Sequence, residues 1–411
     1  MPAEEILLVN AAVCDVAAET THPDQNIRIA DGRIREVGPD LRSDRAQVID
    51  VGGRVVTPGL VDAHVHVTAA TADLAAQAEW SPTYVAAHTG RILAGMLARG
   101  FTTVRDVGGA DYGVAAAVAE GLFIGPRVVF GGKALSQTGG HADLRGRGRA
   151  VLDDHRCCPS IGLVCDGVDA VRRGARDQLR TGAHHIKIML SGGVASPTDR
   201  VDSTQFSDEE IRAAVEEAGA ANRYVTGHAY TARAVNRGLE LGVRCIEHGN
   251  LIDDRSVELF RQHDAFLVPT LVTYEYLARE GKEAGLPPES QEKVAVVLDA
   301  GLGALERAWR GGVSIAFGTD LLGTMHVHQS DEFRIRAQVQ PPAEVLKSAT
   351  VTAARLLGME DEIGVIAPGA YADLLVVDGD PLADAAVFAE PATHLKTVIQ
   401  QGRVVSNMLE R

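Results

Sequence analysis

Cysteine is scarce in this chain, and the few present do not pair up. The five cysteines, Cys14, Cys157, Cys158, Cys165 and Cys245, are odd in number and scattered. They make no disulfide framework and point to a reducing cytoplasm. Cys157, Cys158 and Cys165 invite a zinc-knuckle reading, but a fourth ligand and the paired C-x-x-C spacing are missing. Long hydrophobic runs are absent as well. No stretch reaches the roughly 18 apolar residues of a membrane span. The start, MPAEEILLVNAAV, is acidic ahead of its apolar stretch, the wrong polarity for a signal peptide. Positive charge is in short supply: 40 Lys and Arg against 55 Asp and Glu leave a net charge of −15. Such a chain is repelled by nucleic acid and by anionic lipid, so neither is expected as a partner. There is no block of like charge, short repeat or low-complexity tract. What remains is 411 residues of ordinary globular composition, 45% hydrophobic and 23% charged. That is enough for one large α/β domain and a smaller appendage.

The two ends share a β texture. ILLVNAAVCDV, NIRIADGRIREVG and AQVIDVGGRVVTPG open the chain, and GVIAPGAYADLLVVDGDP and HLKTVIQQGRVVSN close it. Asp31-Gly32, set between alternating apolar residues, is a hairpin signal. Neither end is long enough to fold well alone, so residues 1–57 and 362–411 are expected to pair into one small β-sandwich domain. Between them, over 58–361, short β-rich runs alternate with helical stretches. The runs are LVDAHVHV, FTTVRDVGG, RVVFGG, HIKIMLSGG, YVTGHAY, RCIEHGN, AFLVPTL and VSIAFGTD. Eight such alternations predict a (β/α)8 TIM barrel, an α/β fold. SDEE offers a capping box, with Ser207 as the cap and Glu210 three residues on. The segment 133–170 has no periodicity, and an insertion of that length near barrel strand ends is usually functional or disordered.

Barrel enzymes draw their catalytic groups from the C-terminal ends of the strands. Those ends carry His64 and His66, Lys187, His228, His248 and Asp320. The i, i+2 spacing in TPGLVDAHVHV turns both imidazoles of His64 and His66 to one face. A lone pair of histidines could equally be buried core residues. Further nitrogen and oxygen donors at the same level make a divalent-metal site, suited to zinc or manganese-like ions. Lys187, between Ile186 and Ile188 in a strand that should be buried, is costly as a cation and shifts toward the neutral amine. A neutral amine can take up carbon dioxide and become a carboxylate-like bridging ligand. The alternative is an inward lysine paired with a carboxylate.

PGLVDAHVH, a strand lysine, two later strand histidines and GTD together resemble the amidohydrolase superfamily with a binuclear metal centre, over nearly the whole chain. TGGHAD, HHIKIMLSGG, GHAYT, IEHGN, LVPTLVTYEYLAREG and GTDLLGTMHVHQ resemble its imidazolonepropionase-like branch. That branch includes Xaa-Pro and Xaa-Arg/Lys dipeptidases and ochratoxin-type N-acyl amino acid amidohydrolases. The resemblance implies that His64, His66 and Asp320 hold one of two divalent ions, zinc being the first choice. His228 and His248 would hold the other, and carboxylated Lys187 would bridge them. It implies attack on an amide by a hydroxide shared between the ions, with Asp320 carrying its proton to the leaving amine. His141 and Tyr230 would bind the substrate carboxylate. The substrate would be a dipeptide or an N-acyl amino acid, and the protein a homo-oligomer. Arg200, His326 and His328 lie in loops expected to rim the site; the second H-x-H reads as substrate-facing or as a solvated face, and no metal is assigned to it. A cyclic-amide hydrolase is the alternative within this branch. A deaminase fits less well, because Lys187 has no part in a mononuclear site. A metal-free structural relative would have lost ligands, and none is missing here. The apolar run FLVPTLVTYEY leans the side-chain preference toward uncharged or aromatic residues.

Overall fold

The computed structural model describes residues 5–145, 148–149, 160–196, 199–286 and 288–409. Cys157 and Cys158 lie outside the described residues, as does part of the 133–170 segment, while Cys165 is buried.

Strands from both ends of the chain make one eight-stranded sheet. Its order is Arg403–Asn407, Leu395–Gln400, Leu374–Val377, Val55–Pro58, Ile6–Asp15, Thr20–Ala30 and Arg33–Gly38, with Gln47–Asp50 also pairing with Ile6–Asp15. The first strand does two jobs. Its first half, Ile6–Val9, runs parallel to 47–50, and its second, at Ala12 and Val13, runs parallel to Val55 and Val56. The switch falls at Asn10, whose φ is +57° and whose amide donates to Asp50 Oδ1 at 2.9 Å. An irregularity there bends a strand and lets one sheet close over its own core. That core holds Leu8, Ala11, Ile27, Ile29, Ile34, Val56, Leu374, Val376 and Ile399. Asp31 and Gly32 both take positive φ (52° and 74°) between the paired residues Ala30 and Arg33, the type I′ geometry that matches strand twist.

The middle of the chain is a barrel of eight strands: Leu60–Val65, Phe101–Asp106, Arg127–Phe130, His185–Met189, Tyr224–Thr231, Cys245–Leu251, Phe266–Val268 and Ser314–Ile315. Neighbours pair in parallel within two arcs. Backbone bonds close both seams. His184 N–H donates to the Phe130 carbonyl at 2.9 Å, and Ala63 N–H to the Phe317 carbonyl at 2.7 Å. Two short strands within the aperiodic segment, Ala134–Ser136 and Gly162–Val164, pair with each other. Leu135 joins Ile188 on the fourth barrel strand, so the loop carrying His141 is anchored beside the barrel mouth. The capping box forms: Ser207 Oγ accepts from Glu210 N–H, and the Glu210 carboxylate accepts from Ser207 N–H. Helices pack outside on an aliphatic layer that includes Ile186, Ile188, Ile211, Val225, Val235, Leu239 and Ile246. Among the described residues, no helix is long and apolar enough to cross a membrane.

Candidate metal centre

Each strand end contributes where alternation or a local irregularity turns a side chain inward. His64 and His66 share the inner face of the first barrel strand, with ring centroids 5.4 Å apart. From the eighth strand, which lies beside the first in the closed barrel, Asp320 completes the group. Its φ of +54° follows a turn in which Thr319 and Asp320 N–H both donate to the His64 carbonyl, at 3.2 and 2.8 Å. One donor atom from each of His64, His66 and Asp320 lies within 4.8 Å of the others. Asp320 Oδ1 is 3.2 Å from Nε2 of both histidines.

Hydrogen bonds on the far side of each ring decide which nitrogen is free. His64 Nδ1 is 2.6 Å from Glu247 Oε2, and His66 Nδ1 is 2.7 Å from the Gly108 carbonyl. Both partners only accept, so both Nδ1 atoms carry a proton, and in the neutral ring each Nε2 is turned toward Asp320 free to ligate. His64 Nε2 is buried without a hydrogen-bond partner. A bare, buried nitrogen beside a carboxylate is what a divalent cation requires, and these residues fit one.

His228 and His248 continue the ring, 4.5 Å apart by centroid, with His248 5.1 Å from His64. His228 Nε2 is 3.2 Å from the Gly192 carbonyl, which leaves Nδ1 bare. Around His248 Nδ1, Thr270 Oγ1 and Tyr274 OH each lie at 2.8 Å. Burial holds both rings well below the usual histidine range, hence neutral and able to ligate. Burial opposes ionisation of Asp320, but the adjacent imidazoles, His64 foremost, hold its carboxyl well below the usual range. Lys187 is fully buried below them, and burial lowers its ammonium pKa against the opposing pull of Glu247 and Asp320.

The six residues line one cavity of about 630 Å³, counting its open mouth, together with His141, Tyr230, Thr273 and Tyr274. His141 stacks on His228 at 4.2 Å, and its Nδ1 is 3.3 Å from Asp199 Oδ2. Burial favours a neutral Asp199, yet His141, Ser196 and Lys293 together hold its pKa down at about 2. Tyr274 OH donates to Tyr230 OH at 3.1 Å, and burial pushes both phenols up, so they stay protonated donors. The structure thus brings all eight predicted site residues to one cavity.

The loop residues behave differently from expectation. Arg200 is turned to solvent, where its guanidinium pairs with the exposed Asp202 carboxylate. His326 is buried away from the cavity and bonds the Ala69 carbonyl; burial lowers its pKa to about 4. His328 stacks on Tyr276 and pairs with Glu280. None of the three lines the cavity.

Several residues around the site were not singled out from sequence. Glu247 and Arg105, Thr270 and Tyr274 beside His248, and Asp199 and Lys293 behind His141 all touch the candidate residues or their partners. Glu247 stands next to His248 in IEHGN, and that adjacency is the signal that could have drawn notice.

Residues 55–405 match the family model described as Amidohydrolase family. The chain is an amidohydrolase. This amidohydrolase is 33% identical over 357 residues to ochratoxinase from Aspergillus niger, covering 83% of this chain and 74% of that one. A crystal structure of a prolidase complexed with N-methylphosphonate-L-proline superimposes with a TM-score of 0.96 at 48% identity, over 98% of this chain and all of the other. A Xaa-Pro dipeptidase with methionine bound in its active site gives 0.87 at 29% identity, over 98% and 100%. The amidohydrolase is accordingly a hydrolase of amide bonds.

Proposed function

We propose that this amidohydrolase cleaves the C-terminal amide of dipeptides or N-acyl amino acids whose side chains are uncharged. The observation that carries the reading is the division of the cavity wall. Polar groups gather at one place: the histidines, Lys187, Asp320, Tyr230, Tyr274 and Thr273. The rest of the wall is Leu74, Leu144, Ile161, Val194, Leu277 and Leu322, together with Ala142, Met189 and Ala195. Such a surface offers a charged substrate side chain no partner, and desolvating that charge would be costly. The likeness to a prolidase solved with a proline phosphonate and to ochratoxinase supports the same class.

In this reading His64, His66 and Asp320 hold one divalent ion, and His228 and His248 hold a second. Lys187, once carboxylated, would supply a ligand shared by the two, and zinc would be the native metal. Two such ions supply Lewis acidity, which acidifies a water and polarises an amide carbonyl. The chain's own groups do the rest. Ionised Asp320 takes the water's proton as oxygen adds to the carbonyl carbon, and gives it to the amide nitrogen as the C–N bond breaks. The Tyr230 phenol donates a hydrogen bond to the substrate carboxylate or to the developing oxyanion, with Tyr274 fixing its direction. His141, held by Asp199, meets the carboxylate from across the mouth.

A panel of Xaa-Pro, Xaa-Phe, Xaa-Arg and N-acyl amino acids, assayed at steady state, tests this. Turnover of Xaa-Pro, Xaa-Phe or N-acyl amino acids with weak Xaa-Arg activity is expected. Activity confined to cyclic amides, or highest on Xaa-Arg, would refute it.

A further inference from the structure

Directly beneath the candidate metal group, Arg105 and Glu247 form an ion pair with neither side chain exposed. Arg105 Nη2 donates to Glu247 Oε1 at 2.7 Å. Arg105 Nε donates to the Ala63 carbonyl at 2.6 Å, on the strand that carries His64 and His66. Thr226 Oγ1 also donates to Glu247 Oε1, and the other carboxylate oxygen receives His64 Nδ1–H at 2.6 Å. A pair buried this deeply is poor evidence of stabilisation, because well-packed apolar residues often do as well or better in such a place. Its orientation suggests a different use.

We infer that Glu247 is the positioning residue of the metal centre. It fixes the His64 ring with the proton on Nδ1, so that bare Nε2 faces His66 and Asp320, while Arg105 anchors the carboxylate at that height. The inference rests on the proposed role of His64 as a metal ligand. Glu247 shares the inward face of its strand with Cys245, whose thiol lies 3.3 Å from the glutamate's Oε1. Consecutive residues of a regular strand point to opposite faces, yet Glu247 and His248 both reach the barrel interior. His248 takes a φ of +76°, a conformation costly for a residue with a side chain. One strand end therefore serves the site twice, through His248 in the cavity wall and through Glu247 beneath His64. A carboxylate on the far nitrogen of a ligating histidine sets the ring's tautomer and raises its basicity. Removing such a partner typically weakens metal affinity about 10- to 100-fold.

The test is calorimetric titration of metal-free full-length protein with Zn2+, folding being verified by circular dichroism. Glu247→Gln is expected to bind the first or second ion about 10- to 100-fold more weakly than wild type. Glu247→Asp keeps the charge against Arg105 but withdraws the carboxylate from His64. It is expected to lose affinity too, and it carries the test if the glutamine variant does not fold. Asp373→Asn breaks the ion pair with Arg127 (2.9 Å) next to the terminal sheet, away from the cavity. It should lose stability and keep wild-type metal affinity. Wild-type affinity in both Glu247 variants would overturn the inference, and so would an equal loss in Asp373→Asn. A wild-type protein that binds no Zn2+ would instead overturn the ligand assignment on which the inference rests.

Discussion

Gly193→Ala is the most informative single substitution, because the structure sets its size. Gly193 has an ordinary backbone conformation, so alanine strains nothing locally. An added Cβ would nevertheless sit 2.2 Å from Cε1 and 2.5 Å from both nitrogens of the His141 ring. Contacts tighter than 3.4 Å are rare for real Cβ atoms, so the ring must retreat by about 1.2 Å, and misplacing a catalytic or binding group by about 1 Å can cost roughly 100-fold. The retreat pulls His141 off the face of His228 and changes its 3.3 Å approach to Asp199. Because the displaced atoms belong to a side chain and not to backbone, the fold should be almost unaffected. The expected result is a fall of about 100-fold in kcat/KM on the best dipeptide, about 2.7 kcal/mol, with metal content and Tm near wild type. In His141→Ala the obstructing ring is gone. Adding Gly193→Ala to that background should therefore cost little more, the two changes being non-additive. A Gly193→Ala enzyme within threefold of wild type would refute the reasoning, and so would a double variant whose losses simply add.

Other consequences follow from the same geometry. Lys187→Ala should abolish binding of the metal pair together with turnover, read by metal analysis and assay; wild-type-like activity would remove its bridging role. Against the desolvation that would raise it, His141, Ser196 and Lys293 hold the Asp199 carboxyl down at about 2, below the roughly 3.9 of a free aspartate. A depressed carboxyl pKa stabilises the fold above the unfolded value, and that contribution fades as pH falls from about 4 to 2. Asp199→Asn should thus be less stable than wild type at pH 5, by about 2 kcal/mol, with the gap closing by pH 2 in urea unfolding. An undiminished gap at low pH would show that the loss is not electrostatic. Ser207→Ala removes the hydroxyl half of the capping box and should cost about 1 kcal/mol with kcat/KM unchanged; a large kinetic effect would contradict a purely local role.

The barrel was legible because its strands announce themselves locally. Val, Ile and Leu cluster in eight short runs, and helical stretches separate them. Each ligand candidate falls at a run's end, so topology alone gathers them. What escaped was set by backbone detail that alternation does not encode. Glu247 follows Cys245 on the inward face of its strand, so regular alternation would turn His248 away, and only the left-handed conformation of His248 brings both inward. Thr270, also at positive φ, comes beside His248 in the same way. His141 depends on a close approach to Gly193, two loops meeting face to face from residues 52 positions apart in the sequence. Arg200, His326 and His328 show the opposite error: nearness in sequence to the strand ends did not make them face the cavity. Arg200 found solvent and Asp202, His326 a carbonyl, and His328 the Tyr276 ring.

The central claim is that these strand ends assemble a two-metal site for amide hydrolysis. Elemental analysis of the purified, dialysed protein tests it most directly. The account predicts close to two divalent ions per chain, zinc foremost. Protein that is fully active on a dipeptide with near-zero metal would contradict it.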